Sequence, residues 1–333
     1  MPEYRDFRAQ ALHYFMRPHE DVAAAPIAHD AAWDADAMRA APESWQYNLS
    51  DADLAELEQA LDAVSELPME EISRSNFPLP QLQQRIADWR DTLMNGRGFV
   101  LVSGLPVEQW GEEKAARAYW GIGHHLGIPG AQNPQGELLG HVRDYGEEDA
   151  DPNVRRYRTA GDIAFHCDAA DVVGLLCLYP ARKGGESRIA SSVSIFNRLL
   201  RDNPDLAQRM FEPILVDRRG EESEGEAPVF PMQPGCYADG KLKTFWHSDY
   251  FRSAYRHDGL PPLDETGAAL LDRYDALAMD PEFHLDMDLA SGDMQFISNH
   301  VTIHSRTAYE DWPEKSRMRH LLRLWLSLEQ EPS

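Results

Sequence analysis

At 333 residues, 43% of them hydrophobic, the chain can bury one large core, with at most a smaller appendage beside it. Asp and Glu outnumber Lys and Arg by 56 to 32, a formal charge of -24. So acidic a surface repels phosphate backbones and anionic lipid, which argues against nucleic acid and membrane as partners.

The start, Met1-Pro2-Glu3-Tyr4-Arg5-Asp6, carries early acids and no apolar run, so no signal peptide is expected. The first hundred residues read as mostly helical. Ser50 precedes Leu54, Leu57, Leu61 and Val64 at 3-4-3 spacing, with Asp51 and Asp53 in the first turn. A second helix over 82–94 ends at Asn95-Gly96, a strand follows at 98–102, and 112–126 is helical up to Gly127. This divides the chain into a helical region, 1–97, packing on a core domain, 98–333.

From about Gly140 the texture changes to short strands between turn residues: 163–165, 172–178, 187–191, 213–217, 294–298 and 321–327. Such punctuation favours a sandwich or barrel over alternating βαβ units. The run 172–178 is the richest in apolar residues and far too short to span a bilayer. Helical patches interrupt at 194–201 and 263–278. Segment 218–262, with Gly220-Glu221-Glu222-Ser223-Glu224-Gly225-Glu226, reads as a long insertion. It either covers a pocket or is a surface excursion without a role. Cys167, Cys177 and Cys236 are odd in number and match no paired zinc spacing, so a cytoplasmic location is expected.

The chemistry concentrates in Phe165-His166-Cys167-Asp168 and in the run from Gly292 to His304. His166 and Asp168 are two apart, so in extended chain both project from one face. With His304 they make up two imidazoles and one carboxylate, the ligand set of a non-haem Fe(II) facial triad. On its own, His-x-Asp is equally a surface ion pair, given thirteen histidines in an acidic chain. Arg319 follows, where a guanidinium could hold the far carboxylate of a dicarboxylate co-substrate. Arg323 shares a face with it if the segment is a strand.

The ordered set resembles the taurine dioxygenase-like (TauD/TfdA) family of Fe(II)/2-oxoglutarate-dependent oxygenases. The resembling residues are 165–171, Gly184-Gly185-Glu186-Ser187, Gly292-Asp293 through Asn299, 304–311 and 319–323. The resemblance spans roughly 99–328. It implies an α+β fold with a mainly β core, a double-stranded β-helix (jelly roll) carrying N-terminal and inserted helices. It also implies that His166, Asp168 and His304 are the iron ligands. Arg319 would pair with the C5 carboxylate of 2-oxoglutarate, and Ser187 would either assist it or merely cap its own turn. Arg323 would meet an acidic group of the substrate or form a structural salt bridge. The cofactors implied are Fe(II), 2-oxoglutarate and O2, and the reaction is hydroxylation, with desaturation or cyclisation as variants. Related halogenases lack the carboxylate ligand, and this chain keeps it.

Around these residues, Asp171 and His300 read as supports, His300 on the strand face of His304. His124, His125 and His141 read as structural, and Arg306 with Asp311 as a loop charge pair. Cys167 should point away from the metal. Arg143, Tyr157 and Arg158 are the candidate substrate contacts before His166. They suggest a small carboxylate or amino-acid-like substrate, while Phe245, Trp246, Tyr250 and Phe251 could supply an apolar wall. Rival readings are a cupin-like oxygenase without 2-oxoglutarate, a zinc hydrolase and a non-catalytic ligand-binding barrel. Oligomeric state stays open, since the N-terminal helices could pack on the barrel or form a homo-oligomer.

Overall fold

The computed structural model describes residues 4–146, 158–222 and 224–328. Its first part holds α1 (Phe7–Phe15), α2 (Ala35–Ala40), β1 (Gln46–Asn48), α3 (Asp51–Ala63), α4 (Leu82–Asn95), β2 (Phe99–Ser103), α5 (Val107–Leu126), β3 (Ile128–Gly130) and β4 (Leu139–Val142). Then come β5 (Ile163–His166), β6 (Val172–Tyr179), β7 (Lys183–Gly184), β8 (Ser187–Ser191), α6 (Ser192–Asp202) and α7 (Pro204–Arg209). After them lie β9 (Ile214–Asp217), β10 (Val229–Met232), β11 (Gly235–Ala238), β12 (Lys241–Thr244), α8 (Ser248–Ser253) and α9 (Glu265–Ala278). The chain continues through β13 (His284–Met287), β14 (Met294–Ser298), β15 (Thr302–Arg306), β16 (Tyr309–Glu310) and β17 (His320–Ser327).

Local chemistry sets the helix ends. Ser50 and Asp53 form a reciprocal capping box at the start of α3, and Asp6, Asp34, Ser191 and Asp264 cap α1, α2, α6 and α9. α4 stops at Gly96. α5 begins earlier than its apolar spacing indicates, because a first turn from Val107 is joined across a break at Gly111, whose φ is 77°.

Two sheets face each other. The larger runs β1-β2-β14-β6-β17-β3, with β4 also on β17; the smaller runs β13-β8-β15-β5. Their continuous apolar strands are explained by burial on both faces. Val100, Leu176, Phe296, Leu322, Leu324 and Leu326 pack with Leu57, Ile86 and Trp120 of α3, α4 and α5. The alternate residues Phe99, Leu101, Val173, Cys177, Ile297, Leu321 and Trp325 pack with Ile189, Leu285 and Met287 of the smaller sheet. α6, α7 and α9 cover the far side of that smaller sheet, through Phe196, Leu270 and Leu271 against Ala190 and Ile303. This is the double-stranded β-helix with helices on both outer faces, an α+β fold with a mainly β core.

The N-terminal residues are woven into this core. β1 adds a parallel edge strand beside β2, and Arg5 bridges to Gly130. The buried Gln10 of α1 accepts from the Ser327 hydroxyl at 2.8 Å.

Candidate active site

The two candidate imidazoles meet because of strand register. β15 pairs antiparallel with β5, and His304 lies directly opposite His166 although 138 residues separate them (304 minus 166). Their ring centroids are 4.2 Å apart. Asp168 follows β5 in a loop that Asn299 braces, accepting the Asp168 N–H at 3.2 Å and donating to the Ala170 carbonyl at 2.9 Å. Asp168 Oδ2 then lies 3.7 Å from His304 Nε2, and Oδ1 lies 4.0 Å from His166 Nε2. One donor atom from each of the three falls within 4.8 Å of the other two.

The donor chemistry fits a divalent metal. His166 Nδ1 is 2.9 Å from the Ala164 carbonyl, which favours the tautomer with its Nε2 lone pair toward Asp168. Burial drives the His304 pKa down to about 3, with His166 beside it acting in the same sense, so this imidazole is neutral at pH 7. Burial would raise the Asp168 pKa, but Arg323, His304 and His166 outweigh it and hold the carboxylate ionised. Asp168 Oδ2 is buried without a hydrogen-bond partner. Two imidazole nitrogens and one unsatisfied carboxylate oxygen, converging in a buried place, are what an Fe(II) site needs.

Arg319 sits at the start of β17 on the opposite sheet. Asp311 accepts its backbone N–H at 2.6 Å, and its guanidinium lies 4.9 Å over the Tyr309 ring. Gly185 explains how the chain passes so close: its φ is +80°, and a Cβ there would come 2.9 Å from Arg319 Nε. Arg319 Nη2 donates to the Gly185 carbonyl at 3.3 Å, while Nη1 is buried with no partner. Burial lowers the Arg319 pKa, yet guanidinium stays charged in proteins, so a buried cation whose Nη1 has no partner among the described residues lines the cavity. Ser187, on β8, lines the same cavity and donates to Gln295 Oε1 at 2.9 Å. To serve a carboxylate its hydroxyl rotor must turn.

Other candidates are placed less centrally. Arg323 donates from Nε to Gln132 Oε1 at 2.6 Å, and its Nη1 is 3.6 Å from Asp168 Oδ1. It is thus both a salt-bridge partner of Asp168 and part of the cavity wall. Arg143 is exposed and stacks 4.9 Å from the Tyr145 ring. It does not join the lining: Val142, the last residue of β4, does, and Arg143 just beyond the strand is exposed. Tyr157 lies outside the described residues. His300 is not on the strand face of His304; it occupies the turn between β14 and β15, where its Nε2 meets Asp171 Oδ1 at 2.7 Å. Asp171 also accepts from His13 at 2.7 Å and from the Leu328 N–H at 2.7 Å, tying α1 to the loop that carries Asp168. Arg306 donates to the Thr159 carbonyl at 2.9 Å, and Asp311 is engaged by Arg319. Burial pushes the Cys167 thiol up to about 12, and its Sγ faces the Thr244 carbonyl at 3.8 Å.

These groups share one cavity of about 490 Å3. Its inner end holds His166, Asp168, His304, Ser187, Arg319 and Arg323. Elsewhere it is lined by Phe7, Ala11 and Phe15 of α1 and by residues of the 218–262 segment. Those include Arg218, Arg219, Phe230, His247 and Tyr250, none of which the sequence reading placed at a polar site.

A family model described as "Taurine catabolism dioxygenase TauD, TfdA family" matches residues 48–325. The chain belongs to that family. It is accordingly an Fe(II)/2-oxoglutarate-dependent oxygenase that consumes O2. It is 32% identical over 313 residues to FR-33289 synthase of Streptomyces rubellomurinus, covering 91% of each chain. It is 28% identical over 202 residues to a uridine-5'-phosphate dioxygenase of an Amycolatopsis species, covering 56% of this chain and 70% of the relative. Among solved structures, asparagine oxygenase in complex with Fe(II), 3-hydroxyasparagine and succinate has a TM-score of 0.67 at 18% identity. That likeness covers 85% of this chain and 93% of the other. Among the described residues, no helix is long and apolar enough to cross a membrane.

Proposed function

We propose that His166, Asp168 and His304 hold the iron, that Arg319 anchors the distal carboxylate of 2-oxoglutarate, and that the enzyme hydroxylates a small oxyanion-bearing metabolite. One observation carries this reading: three converging ligand atoms and a buried, unpartnered guanidinium edge open into the same cavity. Iron bound there supplies oxidation of a substrate C–H bond coupled to conversion of 2-oxoglutarate to succinate and CO2. Everything else is the work of the chain. Arg319 offers a planar fork that a carboxylate matches bidentately, and Tyr309 and Gly185 fix its direction. Ser187 adds a hydroxyl beside it. Arg323 keeps Asp168 ionised and oriented and lines the cavity beside it. Leu175, Leu321 and Trp325 line the walls and limit water near the reacting carbon.

Desaturation and cyclisation use the same residues, and the retained Asp168 favours hydroxylation over halogenation. The substrate reading draws on relatives named for uridine-5'-phosphate and hydroxyasparagine, both polar and oxyanion-bearing. Three buried free cysteines suit a cytoplasmic location. The test is succinate release from 2-oxoglutarate, measured with added Fe(II), with EDTA, and across a panel of phosphorylated, carboxylated and amino-acid compounds. Stimulated, Fe(II)-dependent release that EDTA stops is the expected result; metal-independent release would overturn the assignment.

A further inference from the structure

Arg323 lines the cavity, but the group that aims it stands behind the wall. Gln132 lies in the turn between β3 and β4 and is fully buried, outside the cavity lining. Its amide holds Arg323 by side chain and backbone together. Arg323 Nε donates to Gln132 Oε1 at 2.6 Å, and Gln132 Nε2 donates to the Arg323 carbonyl at 2.7 Å and to the Leu138 carbonyl at 3.1 Å. Two carbonyls on the nitrogen and an N–H on the oxygen fix which way the amide faces. The turn fixes its root: Gln132 N donates to the Glu137 carbonyl at 2.8 Å, and Asn133 Oδ1 accepts from Glu137 N at 3.1 Å. Space comes from Gly140, which pairs with Arg323 across β4 and β17; a Cβ there would come 2.6 Å from Gln132 Oε1.

Beyond Gln132 the guanidinium reaches the candidate metal ligand. Arg323 Nη1 is 3.6 Å from Asp168 Oδ1, and the side chain packs 5.3 Å from the Trp325 ring. Asp168 Oδ2, the oxygen 3.7 Å from His304 Nε2, is buried without a hydrogen-bond partner. Arg323 thus engages one oxygen of the carboxylate, and the other is left toward His304. The residue type at 132 matters. A glutamate would offer only acceptors to the two carbonyls, and its charge would draw the guanidinium from Asp168. The amide satisfies all three contacts and stays neutral.

We propose that Gln132 is a positioning residue for the metal site: it aims Arg323 at one oxygen of Asp168, so that this carboxylate gives the metal a single oxygen and leaves room for 2-oxoglutarate. A carboxylate free to turn presents both oxygens, and the second takes a position that the two-oxygen end of a 2-oxo acid needs. The inference rests on the iron-site reading but fails separately from it.

The test is calorimetric titration of the full chain with Mn(II), then of the Mn(II)-loaded chain with 2-oxoglutarate. Gln132→Met keeps the length of the side chain but removes the acceptor for Arg323 Nε. It should weaken 2-oxoglutarate binding about ten- to a hundredfold, the range typical when a group behind a metal ligand is lost. Mn(II) affinity should stay near wild type. Gln132→Asn, an amide one methylene shorter, should show the same split at less cost in stability. The decisive comparison is made in an Arg323→Met background, where Gln132 has no guanidinium to aim. There, Gln132→Met should change 2-oxoglutarate affinity no further, whereas a Gln132 that merely braces the β3–β4 turn would cost as much in either background. Equal losses in both backgrounds, unchanged 2-oxoglutarate affinity in both single variants, or a matching fall in Mn(II) affinity would overturn the positioning role. If the wild-type chain binds no 2-oxoglutarate in the presence of Mn(II), the iron-site reading fails and takes this inference with it. Mn(II)-dependent binding that ignores Gln132 removes this inference alone.

Discussion

The two ends of the cavity are built differently. At the inner end, cross-strand register sets His166 against His304, and Arg319 and Arg323 come from the facing sheet. Sheet hydrogen bonds hold these positions, so a small shift in one strand is resisted by its neighbours. At the outer end the wall is a turn after β9, one short helix and an insertion, held by side-chain stacking and a few hydrogen bonds. Rigid ladders suit groups whose geometry the chemistry requires, and turns suit groups that select a substrate.

This contrast is broken most directly at Asp168. Asp168→Ala removes one of the three proposed ligands and the carboxylate 3.6 Å from Arg323, so both coupled and uncoupled succinate formation should fall below detection. Retained activity would mean that the metal lies elsewhere. Arg319→Ala should be the next largest. Losing a buried charge contact of roughly 2–5 kcal/mol raises the half-saturating 2-oxoglutarate concentration by a factor of about 30 or more. Iron affinity, followed by equilibrium dialysis without 2-oxoglutarate, should stay near wild type. If both changed together, Arg319 would be supporting the metal loop instead.

The inner end was largely legible because its spacing is short and chemically specific. His166 ends β5 with Asp168 in the loop just after it, Gly184-Gly185 turns with φ of 74° and 80°, and Arg323 lies on β17 with Arg319 immediately before it. The strands 187–191 and 294–298 match β8 and β14 residue for residue. What failed depended on turns. His300 was assigned to the strand of His304, but a turn intervenes and delivers it to Asp171. Arg143 was judged by its charge, whereas it lies just past the end of β4 and is exposed. Arg218 and Arg219 looked like part of an acidic insertion. An Arg-Gly pair after a β-run was the available signal, marking a turn where Arg219 and Gly220 have φ of 51° and 80°. β15 carries the proposed ligand His304 yet contains two polar residues and an arginine among five, so hydropathy did not mark it as a strand.

A finer probe of the outer end is α1, whose inward face reaches the cavity while His13 grips Asp171. His13→Ala removes one charge-assisted hydrogen bond and should cost about 1–3 kcal/mol in urea unfolding. If α1 also shapes the substrate wall, the ratio of product to succinate should fall as well. A stability loss with unchanged coupling would reduce α1 to a strap.

The smallest effect lies away from the cavity, in α5. His124 is packed 5.1 Å from Trp120, and burial, with His125 adding to it, lowers its pKa to about 4. The unfolded value is about 6.5, so between pH 6.5 and 4 the unfolded chain binds a proton that the folded chain refuses. Stability from this group is therefore complete above pH 6.5 and declines as the pH falls toward 4. The full decline is on the order of 3 kcal/mol. Burial lowers His320 in the same direction, to about 4, so the comparison must be between wild type and His124→Gln. The variant should show a shallower acid-side loss in urea unfolding at pH 7, 6, 5 and 4. Because His124 Nε2 is buried without a partner, the variant should lose little at pH 7. Parallel pH profiles for the two proteins would show that His124 protonates as freely in the folded chain as in the unfolded one.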